Sequence, residues 1–384
     1  MKFKTYKIKD LINEISMGPF GSNIKVECFV DSGIPVLNGS NLTGFALNDN
    51  SFRYVTPEKA DSLGKANAYR GDIVITHRGT LGQIVFIPKN SKHSRYVISQ
   101  SQFRVKCNEK ILPEYLVYYF HTNAGQHKLL SNASQVGVPA LARASTTFQT
   151  LEIDIPDVTE QRKIVDLLET IREKIELNNA INNNLEQQVS ILYQSWFENF
   201  EITNGVCPED WSYQELSSIA DIASGKRPPV KSNVCNQKTL ISIVGAASVM
   251  GFTSEANHTD KILVTGRVGT HGVVQRFNTP CWTSDNTLVI TSPYYEFTNQ
   301  ILHRIDYSSM NRGSTQPLIT QGDMKKVVVL VPDENTLAKF EEFAGSLMVK
   351  WEANNKENVK LASLRDTLLP KLMSGELDVS NIEI

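Results

Sequence analysis

The sequence has little that would support a disulfide framework, a metal site or a membrane span. Its five cysteines are widely scattered and form no Cys-x-x-Cys pair: Cys28, Cys107, Cys207, Cys235 and Cys281. Such usage favours a reducing compartment. No apolar run approaches the roughly 20 residues of a transmembrane helix, and the opening MKFKTYKIKD lacks the apolar stretch of a secretion signal. We therefore expect a cytoplasmic protein without metal or membrane contact.

Catalytic motifs are also missing. The chain has no GxxxxGK[ST] loop for a triphosphate, no Asn-Pro-Pro-aromatic run for a flipped adenine, and no glycine-rich cofactor pocket. The seven histidines show neither HExxH nor another metal spacing. His77 and His271 lie in or beside glycine-containing turns with no carboxylate at fixed spacing, so a turn or DNA-facing role is favoured over that of a catalytic base. We predict a noncatalytic protein that binds no cofactor itself.

Two stretches have the spacing of long amphipathic helices. Their apolar seams advance in steps of three and four, and both are broken by asparagine at the same two steps. The first seam is Leu168, Ile171, Ile175, Asn178, Asn182, Leu185, Val189, Leu192 and Trp196. The second is Ala344, Leu347, Trp351, Asn354, Asn358, Leu361, Arg365, Leu368 and Leu372. A single seam of this kind could be a solvated helix, but the second copy favours a packed pair.

The asparagines suggest how these helices pair. An antiparallel arrangement in which asparagine meets asparagine places Asn178 opposite Asn358 and Asn182 opposite Asn354. The same register sets Ile175 on Leu361 and Leu185 on Trp351. A slip by one heptad would bury unpaired amides, so we expect these four asparagines to fix the register.

The segments before the helices repeat as well. LEIDIP ends at Pro156 and VVVLVP at Pro332, GTLG at residues 79–82 matches GTHG at 269–272, and IPVLNG matches ISIVG further back. Each glycine turn follows a strand-like run, DIVIT or KILVT. The pattern indicates a duplicated unit whose connecting loops vary in length. It predicts an α+β fold in which two strand-rich domains alternate with two long helices.

Charge is divided in the same way. Basic residues exceed acidic ones by 6 over residues 1–156 and by 1 over 206–331, whereas acidic residues prevail by 5 over 157–205 and by 4 over 332–384. The helical stretches therefore carry an acidic, solvated or partner-facing surface. A modest basic excess in the first domain is a weak indication of nucleic-acid binding.

Five motifs in a fixed order give the chain a family resemblance. They are GPFGSN with SGIPVLNGSNL, GDIVITHRGTLG, IPDVTEQRKIVDLLETI, SGKRPP and LRDTLLPKLMSGEL. In these the sequence resembles the specificity subunits of type I restriction-modification systems. The resemblance spans nearly the whole chain. The second junction, VPDENTLAKFEEF, lacks the Glu160–Gln161 pair of the first, so the two junctions need not contact a partner alike.

The resemblance implies an architecture and a set of partners. It assigns target-recognition domains to residues 1–156 and 204–332, coiled-coil helical regions to 157–203 and 333–376, and a tail to 377–384. The helices would pack as an antiparallel coiled coil with a pseudo-twofold internal repeat. Each domain would read half of an asymmetric, bipartite site in double-stranded DNA. Two methyltransferase subunits, and through them restriction subunits, would carry S-adenosylmethionine, ATP and magnesium.

Candidate DNA-binding residues come from the glycine-rich loops, because amides, hydroxyls and cations read base edges and hold phosphates. The first domain supplies Ser22, Asn23, Lys25, Asn38, Ser40, Asn41, Arg78 and Thr80, and the second supplies Lys226, Arg227, Lys231, Arg267, Thr270, His271 and Arg312. GTLG and GTHG are interpreted as tight turns first and phosphate contacts second. Two alternatives stay open: a scaffold that bridges proteins without reading DNA, and a specificity module whose methyltransferase has no restriction partner.

Overall fold

The computed structural model describes residues 1–19, 21–134, 137–310, 312 and 318–380, apart from the side chain of Ser22. The chain forms two units. The first unit combines Met1–Glu176 with Asn358–Ile384, whereas the second is the continuous stretch Leu177–Glu357. The end of the predicted tail, residues 381–384, lies outside the described residues.

The first unit contains a four-stranded sheet, a five-stranded sheet and short helices. Its strands are β1 Lys4–Lys7, β2 Ile12–Met17, β3 Phe29–Val30, β4 Ile34–Val36, β5 Arg53–Val55, β6 Asn67–Tyr69, β7 Ile73–Thr76, β8 Ile84–Phe86, β9 Arg95–Val97, β10 Gln102–Cys107, β11 Ala133–Ser134, β12 Ala140–Leu141 and β13 Glu152–Ile155. Its helices are α1 Pro57–Ser62, α2 Pro113–His121, α3 Asn123–Leu129, α4 Ala144–Thr150 and the start of α5 Val158–Tyr193. The sheets have strand orders β2-β10-β7-β8 and β3-β5-β4-β9-β6, and shorter pairs form between β1 and β13 and between β11 and β12.

The predicted strand DIVIT shows why its apolar run is continuous. Ile73 and Ile75 of β7 face the aromatic core around α2. Val74, which points to the opposite face, packs into the core beneath the five-stranded sheet. A strand that is buried on both faces needs apolar residues at every position, whereas a strand with one solvent-exposed face would alternate apolar and polar residues.

The second unit repeats this plan. Its strands are β14 Ser212–Glu215, β15 Asp221–Ser224, β16 Ile241–Val244, β17 Val249–Thr253, β18 Ile262–Gly266, β19 Gln275–Phe277, β20 Cys281–Thr283, β21 Thr287–Thr291 and β22 Val328–Val331, and its helices are α6 Tyr295–Arg304, α7 Gln321–Lys325 and part of α8 Glu334–Ser374. The sheets have orders β15-β21-β18-β19, β17-β16-β20 and β14-β22. In β18, Leu263 faces one core and Ile262 and Val264 face the other.

The long helices α5 and α8 pack against each other within each unit. In the first unit, Leu168 near the start of α5 shares a core with Leu369 and Leu372 near the end of α8. In the second unit, Val189 near the end of α5 shares a core with Phe340 near the start of α8. The helices therefore run antiparallel, and the predictions of an α+β fold, an internal repeat and an antiparallel helix pair are confirmed.

The seam asparagines of the second unit are buried and hydrogen bonded. Asn354 donates from Nδ2 to Asn182 Oδ1 at 2.8 Å. Asn182 in turn donates to Asn355 Oδ1 at 3.0 Å, and Asn178 donates to Glu357 Oε2 at 2.8 Å. The Asn182–Asn354 pair is the one that the sequence register places together. That these residues fix the register stays a prediction, as does the Asn178–Asn358 pair, whose members belong to different units.

The two junctions before the long helices are held differently. Gln161 is fully buried, accepts from the Leu112 amide at 3.0 Å, and donates to the carbonyls of Lys110 and Pro156 at 3.0 and 2.9 Å. In the second unit, Glu341 accepts from the amides at the start of α6, at 2.8 Å for Phe297. The glutamine missing from the second junction thus has a counterpart further along α8.

Candidate nucleic-acid interface

Three loops meet at one edge of the first unit's four-stranded sheet. Neighbouring strands in the order β2-β10-β7-β8 are antiparallel, and Met17, Phe103 and Ile75 lie side by side in the register. The loops that follow β2 and β7 therefore share an edge with those that precede β8 and β10. The predicted residues Asn23 and Lys25 follow β2, and Arg78 and Thr80 follow β7.

The five-stranded sheet contributes a further loop to the same edge. Its strands β4 and β9 are parallel, so their carboxyl ends lie together. The loop after β4 carries Asn38, Ser40 and Asn41. Residues 98–101 follow β9 and also precede β10, and they therefore belong to the edges of both sheets. We call residues 18–19, 21–26, 37–41, 77–83 and 98–101 the candidate edge of the first unit.

Two contacts hold these loops in place. A Cβ on Gly18 would lie 1.9 Å from the Ser99 carbonyl oxygen, so only glycine permits the close approach of these loops. Gln83 donates from Nε2 to the Gly39 carbonyl at 3.0 Å and accepts from Thr76 Oγ1 at 3.1 Å. Loops tied to a rigid sheet are preorganised for binding.

The predicted residues of the first unit differ in availability. Asn23, Lys25, Asn38, Ser40, Arg78 and Thr80 are exposed at the candidate edge, whereas the side chain of Ser22 lies outside the described residues. The prediction that Asn41 contacts DNA is corrected, because Asn41 is 0% exposed and its Nδ2 donates to the carbonyls of both Asn48 and Asn50. Asn41 is a framework residue of the loop, and we remove it from the candidate set.

His77 stabilises the loops and does not serve as a catalytic base. Burial lowers the pKa of His77, and the Arg78 charge lowers it further. Its Nε2 lies 3.1 Å from the carbonyl oxygen of Gln100. The neutral imidazole with Nε2 protonated can donate to that carbonyl, which ties residues 98–101 to the loop after β7.

The second unit has a matching candidate edge, made of residues 225–231, 245–248, 267–275 and 284–286. Antiparallel pairing in β15-β21-β18-β19 brings together the ends of β15 and β18 and the starts of β19 and β21. A Cβ on Gly225 would lie 2.1 Å from the Ser284 carbonyl oxygen, as for Gly18 in the first unit. Gln275 donates to the Gly245 carbonyl at 2.8 Å, as Gln83 does to Gly39.

The predicted residues of the second unit lie at or next to this edge. Lys226, Arg227, Lys231 and Thr270 are exposed. Arg267 is half-buried and donates to the Asp285 carbonyl at 3.3 Å, and His271 Nδ1 lies 3.1 Å from the Gly266 carbonyl. Arg312 is exposed but forms an ion pair with Asp323. Cations are therefore present at both edges, in different arrangements.

The glycine turns adopt the backbone that the sequence predicts. Gly79 and Gly82 have φ angles of 89° and 87°, and Gly269 and Gly272 have 87° and 77°. These left-handed values favour glycine. The prediction of tight turns is confirmed, and a phosphate-contact role for the same turns stays a prediction.

Sequence reasoning missed Gln83 and Gln275, which tie the loops together. A signal was present, since in each copy a glutamine follows the second turn glycine within three residues. Among the described residues, no group of three or more His, Cys, Asp or Glu side chains could hold a metal ion. No helix in the described part of the chain is long and apolar enough to cross a membrane.

The family model for the type I restriction modification DNA specificity domain matches residues 2–187 and 208–344. The chain belongs to this family. The two matches correspond to the two copies of the repeat, and the prediction of a noncatalytic specificity subunit is confirmed.

Relatives and a solved structure agree with this assignment. The type I restriction enzyme MjaIX specificity subunit of Methanocaldococcus jannaschii is 24% identical, over 98% of this chain and 94% of its own length. The HindI specificity subunit of Haemophilus influenzae is 22% identical, over 87% of this chain and 93% of its own. The crystal structure of the type I restriction-modification S subunit from M. genitalium shares the fold, with a TM-score of 0.60, 16% identity and coverage of 97% and 96% of the two chains.

Proposed function

We propose that each unit reads one half of an asymmetric, bipartite site in double-stranded DNA through its candidate edge. The observation that carries the proposal is that the same edge recurs in both units with the same framework contacts but different exposed side chains. Gln83 and Gln275 make equivalent hydrogen bonds. Exposed Arg78 in one unit corresponds to half-buried Val268 in the other, and His77 corresponds to Arg267. Different side chains on one framework favour different half-sites.

The chemistry of the edges fits duplex DNA. Lysine, arginine and backbone amides hold phosphates, and guanidinium and amide groups discriminate base edges. Five predicted cations are exposed and form no ion pair with a described residue: Lys25, Arg78, Lys226, Arg227 and Lys231. If all five neutralise phosphates, the logarithm of the binding constant falls with the logarithm of salt concentration with a slope of about −4.5.

Methylation and restriction belong to partner subunits in this proposal. The chain binds the DNA site and recruits two methyltransferase subunits, which carry S-adenosylmethionine, and restriction subunits, which use ATP and magnesium. The acidic outer faces of α5 and α8 are available for protein contacts, and the helices hold the spacing between half-sites. The site of action would be the cytoplasm, where the target DNA lies.

Genome-wide adenine-methylation sequencing tests the proposal. A restriction-deficient strain would express the neighbouring methyltransferase with and without this chain. We expect a two-part, asymmetric motif with a fixed gap that requires the chain. If the two proteins form a stable complex and no new motif appears, the chain is a bridging scaffold and the proposal is wrong.

A further inference from the structure

We infer that Arg53 reads a guanine in the half-site of the first unit. This inference rests on the proposed function and goes on to name one contact residue and one base. Arg53 is the first residue of β5 and pairs with Val36, the last residue of β4. It therefore lies beside the loop that carries Asn38, at the candidate edge.

The Arg53 guanidinium is held in position but its hydrogen-bond donors are not used. Its Cζ lies 5.2 Å from the centroid of the Phe29 ring, a cation–π contact that restricts the side chain. The Arg53 side chain is exposed and makes no hydrogen bond or ion pair with any described residue. Arg95 and Arg104 of the same unit, by contrast, are paired with Asp61 and with Glu14 and Asp72. Those arginines stabilise the unit, whereas Arg53 has donors available for a ligand.

The surroundings of Arg53 form a cleft open to solvent. The cleft has a volume of about 360 Å³ and is lined by three loops, which include Asn38 and Gln100, and by strand residues, which include Arg53. Phe29 and Val36 supply its apolar wall. The Gln100 side-chain amide is exposed and has no hydrogen bond to a described residue. The lining of the cleft thus contains both a guanidinium held against Phe29 and an available amide.

Guanine is the base that this arrangement fits. In the major groove guanine offers two acceptors, O6 and N7, and the planar fork of arginine can donate to both at once. Adenine pairs better with an amide, and the cytosine edge offers a donor that arginine cannot accept. The Phe29 contact reduces the side-chain entropy lost on binding, because the guanidinium is already oriented.

The second unit lacks an equivalent arginine. Tyr54 pairs with both Val30 and Pro35 in the first unit. Phe252 holds the same place, since it pairs with Ser242 and bridges to Ser232. The residue before it is Gly251, where a Cβ would lie 2.7 Å from the Ser232 carbonyl oxygen. The guanine contact is therefore specific to one half-site.

Methylation sequencing of variants in the complex with the methyltransferase tests the inference. We expect Arg53→Ala to weaken the preference for guanine at one position of one half-site and to leave the other half-site unchanged. Arg53→Lys should keep the charge but lose much of the preference, because lysine cannot form the planar fork. Lys89→Ala is the matched control: Lys89 is exposed and follows β8 at the opposite edge of the sheet, so its loss should leave the motif intact.

Base analogues provide a second test, whose first part uses only the wild-type complex. Each guanine of the motif is replaced in turn by 7-deazaguanine, which lacks the N7 acceptor, and binding to the wild-type complex is measured. We expect one replacement to weaken binding about tenfold or more, and to have little further effect on the Arg53→Ala complex.

The outcomes separate the inference from the proposed function. If no motif depends on this chain, the proposed function is wrong. If the motif depends on the chain but Arg53→Ala leaves it unchanged, or if no 7-deazaguanine weakens wild-type binding, the assignment of Arg53 is overturned. If Arg53→Ala abolishes methylation altogether, the analogue series on the wild-type complex decides alone.

Discussion

Replacing the buried asparagine pair of the helix seam should raise stability and loosen register. Asn182 is 5% exposed and Asn354 is 1% exposed, and they share the 2.8 Å hydrogen bond. A buried leucine contributes about 1.5 to 3 kcal/mol relative to an exposed one, whereas a neutral hydrogen bond contributes a net of about 1 kcal/mol. The double replacement Asn182→Leu with Asn354→Leu buries two leucines and removes both the Asn354–Asn182 and the Asn182–Asn355 hydrogen bonds, so it should stabilise the seam by about 1 to 4 kcal/mol.

The single replacements should behave differently. Asn354→Leu removes the donor to Asn182 Oδ1 and leaves that oxygen buried, at a cost of about 1 to 3 kcal/mol that offsets the gain from leucine. Asn182→Leu leaves the Asn354 amide without its acceptor in the same way. Each single variant should therefore be close to neutral, and the double variant should exceed the sum of the two.

Hydrogen exchange of the seam amides measures this locally, which suits a chain whose two units need not unfold together. Protection of residues 180–190 and 347–357 would be compared in the wild type, the two single variants and the double variant. Additive effects, or a double variant less protected than the wild type, would refute the reasoning about the buried pair. Methylation sequencing of the double variant tests the register: mixed gap lengths are expected, and a single unchanged gap would show that these asparagines do not set it.

Three further predictions concern the edges and the second junction. Lys25→Ala should lower affinity about equally for all sequences and reduce the magnitude of the salt slope by about 1, as measured by DNA titration at several salt concentrations; an unchanged slope would remove Lys25 from the interface. Gly18→Ala should disrupt recognition of the half-site by the first unit, and Gly225→Ala should disrupt recognition by the second, because the new Cβ would lie 1.9 or 2.1 Å from a carbonyl oxygen. Gly345→Ala is the control, because a Cβ at Gly345 would lie in open space. Loss of both half-sites in either variant would contradict the assignment of a separate edge to each unit. Burial raises the pKa of Glu341 from its usual value of 4.5 to about 7. The folded state therefore binds this proton more tightly than the unfolded chain does, and the free energy of unfolding of the second unit should fall by about 3 kcal/mol as pH rises from 4.5 to 7. Glu341→Gln should flatten that dependence in unfolding measurements across the same pH range, and an equal slope in the variant would assign the effect to another group.

Much of the fold follows from local pattern. The runs DIVIT and KILVT form β7 and β18, and the helical seams form α5 and α8. These features depend on neighbouring residues alone, so periodicity suffices. The parallel pairing of β4 with β9 joins residues far apart in sequence, and no local pattern predicts it. The candidate edge depends on that pairing, which is why its exact membership could not be derived.

The site residues show the same limit. Asn41 has the residue type and the glycine-rich setting of a contact residue. Its side chain is nevertheless buried, and its amide donates to carbonyls that lie seven and nine residues further along the chain. Arg53 lies in an ordinary strand pattern, and its position at the edge becomes visible only through its pairing with Val36. Residue type identifies the chemistry that is possible, whereas the surrounding fold decides which side chains remain available.

The division of the first unit between two stretches of chain constrains how the protein is made. Its core joins Leu168 to Leu369 and Leu372, which the ribosome adds about 200 residues later. The second unit is the continuous stretch Leu177–Glu357, so all of it leaves the ribosome before Leu369 and Leu372 do. Domains generally fold as they emerge, so the unit that is later in sequence should fold first. During that interval the unfinished apolar surface of the first unit is open to chaperones and proteases, and synthesis that stops short would leave it exposed.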